Sequence, residues 1–215
     1  MPTIAHTATT ALAMSDTGAI RILLAEDDDS SRAMVADLLT ALGHSVVAQV
    51  TTGREAAEQA RQLAPDVVLL DVHMPDGSGI EAAERITTEL PGTAVVLFSG
   101  DQTVSLTERD LTATAAIAFL PKPTPPRMLD STLRLAATRA RELHAAKQDA
   151  EQARRQLESR KIIERAKGIL MRRTGTSEQE AYRILQRTSQ DRSVPMVEIA
   201  KAVLASEPSA GPAKS

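Results

Sequence analysis

There is no cysteine in this chain of 215 residues. Disulfides, thiolate metal sites and cysteine nucleophiles are therefore excluded together, and the composition fits a reducing compartment. Tryptophan is absent too, and the aromatics are only Phe98, Phe119 and Tyr182. The core has to be aliphatic, and an aromatic outside it invites a role. No apolar run approaches the roughly 18 residues of a membrane-spanning helix, so no membrane association is expected. Residues 1–20 lack Lys, Arg and a sustained apolar stretch and do not resemble a secretory signal. Residues 1–19 read as a disordered leader, with Met14 as an alternative start. The four histidines, His6, His44, His73 and His144, are scattered without ligand spacing, and none reads as a metal site through its imidazole.

What is present is ordinary in bulk, with 42% hydrophobic and 25% charged residues, and fits one or two soluble globular domains. The net charge of −3 is unevenly spread. Residues 158–205 hold ten cations against six anions, a balance of +4, which leaves −7 for the rest. A basic module appended to an acidic one points to an anionic partner for the C-terminal part.

Along the chain, short apolar runs alternate with stretches of helical spacing. Strands are predicted at 21–25, 46–50, 67–71, 94–98 and 116–120. Helices are predicted after the first strand up to Gly43, over 53–63 ahead of Pro65, over 80–90 ahead of Pro91, and over 104–111. Strict alternation implies a parallel sheet with helices on both faces. The run Val67-Val68-Leu69-Leu70 ends at Asp71, and Pro75, Gly77 and Gly79 force a loop behind it. Ligands of open α/β sheets bind beyond the carboxyl ends of the strands, so this is the functional edge.

The strand ends, superposed, give Glu26 and Asp27, then Asp71, Ser99 and Lys122. Three converging carboxylates repel one another unless a cation neutralises them. Hard oxygen ligands suit Mg²⁺. Asp71 can attack a phosphoryl donor to give an acyl phosphate, with Ser99 and Lys122 holding the remaining phosphoryl oxygens.

Residues 20–135 resemble a response-regulator receiver domain, flavodoxin-like as in CheY, through LLAEDD, LLDVHMPDGSG, LFSG and FLPKP. The resemblance implies that Asp71 is the phosphoacceptor and that Glu26 and Asp27 are the acid pair for Mg²⁺. It implies the backbone carbonyl of His73 as a further ligand, Ser99 and Lys122 as phosphoryl contacts, Phe119 as the switch aromatic and a cis Lys122–Pro123 peptide. It also implies a cognate sensor histidine kinase as donor, with no enzymatic activity beyond self-phosphotransfer and autodephosphorylation. Glu26 replaces the commoner Asp and lengthens one ligand. Phe119 replaces the commoner Tyr and brings no hydroxyl.

A helix opening at Pro125-Pro126 meets no proline up to about Arg173, far beyond the usual 11–12 residues or so. Within the linker, residues 136–157, Leu143, Ala146, Ala150, Ala153 and Leu157 keep a 3-4 spacing, a coiled-coil seam. The seam is short and Ala-rich, so a conditional homodimer, formed on phosphorylation, is expected. Beyond it, Ile162, Ile163, Ala166, Ile169 and Leu170 form an apolar stripe. Ser177 and Glu180 make a capping box for a second helix, and 192–195 breaks before a third. Residues 206–215 read as a disordered tail.

Residues 158–205 resemble an ANTAR domain, the three-helix RNA-binding output module of transcription antiterminators, through ERAKGILM, TSEQEAYRILQR, DRSV and EIAKAVL. The whole order is similar to the PdtaR-type response regulators. The resemblance implies RNA stem-loops of target transcripts as ligand, bound by Ala166, Lys167, Arg173, Tyr182, Arg187 and Arg192, and a cytoplasmic setting. Thr188-Ser189 stands where the family usually has Ala, adding hydroxyls to a surface expected to face RNA. Tyr182 is either a core residue or a base-stacking one. A DNA-binding response regulator is the alternative, since short basic helices also build helix-turn-helix outputs. A phosphotransfer enzyme working through an aspartyl phosphate is a third class, disfavoured because no cap insertion interrupts the α/β part.

Overall fold

The computed structural model describes residues 18–74, 77–100 and 116–206. The helix expected at 104–111 lies outside these residues, as do most of the leader and all of the tail beyond Ser206. The chain divides into two compact units, one up to His144 and one from Ala145.

The first unit alternates β1 (Arg21–Ala25), α1 (Asp29–Ala41), β2 (Ser45–Val50), α2 (Gly53–Leu63), β3 (Val67–Asp71), α3 (Gly79–Glu89), β4 (Ala94–Ser99) and β5 (Ala118–Pro121). The five strands form one parallel sheet in the order β2-β1-β3-β4-β5, the flavodoxin-like doubly wound order. β5 begins at Ala118, two residues later than the apolar run suggested.

Both faces of the sheet are covered, which is why the strands read as unbroken apolar runs and not as alternation. Ile22, Leu24, Val67, Leu69, Val96, Phe98 and Leu120 pack against α1 and the opening turns of the helix that follows β5, through Val35, Leu39, Leu129, Leu133 and Ala137. Their strand neighbours Leu23, Ala25, Val68, Leu70, Val95 and Leu97 point the other way, onto Ala56, Ala57, Ala60, Ala83 and Ile86 of α2 and α3. The small residues on α2 and α3 let those helices lie close to the sheet.

Helix starts follow from local chemistry. Asp28 and Thr52 cap α1 and α2, accepting from the amides of Ser31 and Glu55, each cap stabilising by about 1 kcal/mol. Gly43 sits at φ +84 just past α1, a left-handed position that favours glycine.

Helix α4 (Pro126–Thr174) is a single helix of 49 residues. It contributes its first turns to the core of the first unit and its last to the second unit, with no break near 135 or 157. In the second unit it joins α5 (Glu178–Arg192) and α6 (Met196–Ala205). Their core is Ala166, Leu185, Ile199 and Ala200, flanked by Ile162, Ile163, Leu170, Val194, Met196 and Val203. The Ser177–Glu180 capping box is formed. Ser206, assigned to the tail from sequence, belongs to this unit. Its amide bonds to Ala202 and Val203 carbonyls, and its Oγ and carbonyl accept from Arg173 at 2.9 and 2.6 Å.

Candidate functional site

The register of the sheet builds the first site. Ala25 pairs with Leu70, Asp71 with Phe98 and Ser99 with Pro121. The residues that end or follow the central strands, Glu26, Asp71, Ser99 and Lys122, therefore fall in one row at the carboxyl edge. Glu26, Asp71 and Ser99 are buried while Asp27 is exposed.

Oxygens of Glu26, Asp27 and Asp71 lie within 4.8 Å of one another. That spacing of hard, anionic donors fits a single small divalent cation such as Mg²⁺. Lys122 partly neutralises the group: its ammonium donates to Glu26 Oε2 and, at 2.5 Å, to Asp71 Oδ2. Asp71 Oδ1 accepts the amide N–H of His73 at 3.0 Å. The ammonium also lies 5.0 Å from the centroid of the Phe98 ring, within cation–π range.

The electrostatics reflect burial and crowding. Burial pushes the Glu26 carboxyl above its ordinary range; Lys122 pulls it back without cancelling the effect, and the Asp71 charge adds to the rise. Burial works against the Lys122 ammonium, but hydrogen bonds to Asp71 and Glu26 outweigh it and hold its pKa above the usual lysine value. A buried carboxyl raised this way is relieved by a second cation.

Backbone geometry fixes the cradle. Lys122 N–H donates to Ser99 O at 2.7 Å, and the Lys122–Pro123 peptide is cis. Gly79 N–H donates to Val72 O at 2.9 Å, bringing the start of α3 under the Asp71 carbonyl, where a Cβ on Gly79 would lie 1.9 Å from the oxygen. In the sequence Gly79 reads only as a loop breaker. Its close approach is a tertiary fact. Phe119 is half-buried on the α2–α3 face.

The second unit separates the residues expected at an RNA surface. Ala166 is fully buried in the three-helix core, so a direct RNA contact from it is corrected: its small side chain lets the helices close. The Lys167 ammonium is held by Glu164 (2.9 Å to each oxygen) and Glu178 (2.7 Å). These bonds, Glu178 first, raise its pKa. Arg173 is engaged with Ser206. Arg187 and Arg192 are exposed, the Arg187 side chain to 86%.

Tyr182 is 42% exposed, which decides against a core tyrosine. The hydroxyls of Thr188 and Ser189 are both engaged with backbone carbonyls. They donate to the carbonyls of Ile184 and Val194 and serve the helix and its end. Sequence reasoning missed the two glutamates on Lys167, for which helical spacing (Glu164 at i−3) was the available signal.

Comparison with known proteins places both units. Residues 22–134 match the response regulator receiver domain family and residues 151–204 the ANTAR domain family. The transcriptional regulatory protein PdtaR of Mycobacterium tuberculosis is 37% identical over 184 residues, spanning 86% of this chain and 89% of the relative. The chemotaxis protein CheY of Thermotoga maritima is 35% identical over 79 residues, 37% of this chain and 66% of that protein. Among solved structures, the receiver domain of the response regulator NarL from Mycobacterium tuberculosis superposes with a TM-score of 0.52 at 28% identity. The match covers 56% of this chain and 98% of that one.

Proposed function

Since this chain is a two-component response regulator, belonging to the family that joins a receiver domain to an ANTAR domain, we propose that phosphorylation of Asp71 controls RNA hairpin binding by residues 158–205, and thereby transcription antitermination. The observation that carries the reading is the convergence of Glu26, Asp27, Asp71 and Lys122 at one sheet edge.

In this reading the Asp71 carboxylate attacks the phosphorus of a phosphohistidine on a cognate sensor kinase. The P–N bond breaks, the imidazole leaves with the electron pair and takes up a proton, and an acyl phosphate forms on Asp71. The His73 amide orients the carboxylate through Oδ1, while the Lys122 ammonium offsets charge on the transferred group. The Ser99 hydroxyl binds a phosphoryl oxygen, and Phe119 repacks when the site is loaded. Glu26, Asp27 and Asp71, with the His73 carbonyl that the family resemblance adds, would hold Mg²⁺, which would offset phosphoryl charge. The chain catalyses only its own phosphotransfer and autodephosphorylation.

Among the described residues no helix is long and apolar enough to cross a membrane, in keeping with a cytoplasmic regulator. The seam residues Leu143 and Leu157 are exposed and support a homodimer formed on phosphorylation. The +4 balance of residues 158–205 and the exposed Tyr182 favour RNA loops. A DNA-binding output is the competing reading, and no described element supplies a separate recognition helix with a wing.

The test is twofold. The full chain is incubated with acetyl phosphate and Mg²⁺, and the added mass is mapped; it should sit on Asp71 and vanish in Asp71→Asn. Filter binding then compares RNA hairpins with duplex DNA at matched salt, with and without beryllofluoride. Label retained in Asp71→Asn, or equal binding of duplex DNA, overturns the reading.

A further inference from the structure

The row of strand-end residues contains one group to which phosphotransfer gives no task. By the strand period of two, Glu26, Asp71, Phe98 and Lys122 continue the rows of Leu24, Leu69, Val96 and Leu120, which belong to the sheet face covered by α1 and α4. The register sets Phe98 opposite Asp71 on β3 and opposite Leu120 on β5. Phe98 is thus the uncharged member of a row of ions, and it is 5% exposed.

An aliphatic side chain would fill the core here as well. Phe98 is one of three aromatics in the whole chain, and the rest of its cluster is aliphatic. What distinguishes phenylalanine from leucine at this place is the π face. The Lys122 ammonium lies over that face, 5.0 Å from the ring centroid. Such contacts strengthen away from water, and the Lys122 side chain is only 18% exposed. Phe119, the other phenylalanine, packs on the opposite face of the sheet and cannot stand in for it.

We propose that Phe98 is a positioning residue, whose ring face holds the Lys122 ammonium in place for phosphoryl transfer to Asp71. The inference rests on the Asp71 reading above and adds to it the residue that steers its cation. The other partners of the ammonium are Glu26 Oε2 and Asp71 Oδ2, and the reaction engages both. Asp71 gives an oxygen to phosphorus in the acyl phosphate, and Glu26 belongs to the acidic group that would share a cation. The ring is neutral, unreactive and fixed in the core, so its contact survives the step. A lysine ammonium is a compact charge on a flexible four-carbon stem. Without the ring, attraction draws it fully onto the two carboxylates, the nucleophile included. With the ring, the charge keeps a fixed station from which it meets phosphoryl oxygens as they arrive.

The test uses the full chain with acetyl phosphate and Mg²⁺, following the rate of mass gain on Asp71. Phe98 is replaced by phenylalanine carrying one, two or three ring fluorines, which withdraw charge from the π face at nearly constant shape. The rate should fall with each fluorine, reaching about fivefold at the last, within the strength of such contacts. Phe98→Leu, which lacks the face, should be at least as slow. In a Lys122→Gln background, Phe98→Leu should change the rate by less than about twofold, because the ring acts only through the ammonium. Proton NMR should show Lys122 methylene resonances shifted upfield by the ring, both in the free chain and with beryllofluoride, and Phe98→Leu should abolish the shift. Thermal melts accompany every variant.

Equal rates across the fluorine series, with Asp71 labelled in the wild-type chain, leave Phe98 an ordinary core residue; the proposal then falls while the Asp71 reading stands. Slowing that follows lost melting temperature and not fluorine count overturns it likewise. So does an undiminished effect of Phe98→Leu in the Lys122→Gln background. Absence of label on Asp71 in the wild-type chain overturns the phosphorylation reading itself, and the proposal with it.

Discussion

The carbonyl oxygen of Asp71 occupies the space a Cβ on Gly79 would need, 1.9 Å away. The end of β3 and the first turn of α3 are thereby locked at contact distance next to Asp71. Gly79→Ala forces backbone, not a flexible side chain, to move. We expect a destabilisation of about 1–3 kcal/mol, the usual range for overpacking, read as a lower urea midpoint. Phosphorylation from acetyl phosphate should slow in the same variant, because the Asp71–His73 turn shifts with α3.

Lys122 supports two buried carboxylates at once. Lys122→Ala leaves both without a cation, a change that in buried pairs costs about 3–5 kcal/mol. The loss should be partly reversed by added Mg²⁺, since a ligand that binds only the folded state stabilises it. Wild-type protein should melt lower after treatment with a chelator, and Asp27→Asn should shrink that difference. A melting point indifferent to Mg²⁺ would falsify the metal assignment.

His44 is buried, with Nε2 3.0 Å from Asp130 Oδ1 but no aligned hydrogen bond. Arg134 donates to the same oxygen at 2.8 Å. Burial, then the Arg134 charge, lowers the His44 pKa below 6.5, against the opposing pull of Asp130. Just below pH 6.5 the unfolded chain binds a proton that the folded chain refuses. Stability from this group is therefore complete above pH 6.5 and is lost as the pH falls through that value toward the lower folded pKa. Urea midpoints should drop over that interval in wild type, and the drop should be smaller in His44→Gln.

Glu178 and Glu164 hold Lys167 away from other anions. Glu178→Gln removes one of the two carboxylates, so hairpin RNA should bind more tightly at low salt. Arg187, exposed and only 3.9 Å-paired with Asp191, should act as a plain phosphate contact. Arg187→Ala is expected to reduce the salt slope by about 0.7 and to leave melting unchanged.

Leu157 lies on the exposed seam of α4. Leu157→Lys should block dimers formed with beryllofluoride while leaving Asp71 phosphorylation intact, as sedimentation velocity can show. Dimers of the variant at wild-type strength would move the contact to the receiver surface.

The sequence by itself determined the alternation of strand and helix, the parallel sheet and the row of strand-end residues, because apolar runs buried on both faces and Gly/Pro punctuation are local signals. It also determined the capping box at Ser177 and the unbroken helix from Pro126, since both depend on neighbours within a few residues. Tertiary structure alone decided which cations are already engaged. Lys167 looks like a phosphate contact until Glu178 arrives from another helix, and the apolar stripe through Ala166 has no partner until α5 and α6 close over it. The same holds for Gly79 under Asp71 and for Tyr182, whose exposure depends on which face of α5 the three-helix core takes. Periodicity states that a side chain lies on a face; only packing between elements distant in sequence decides what that face meets.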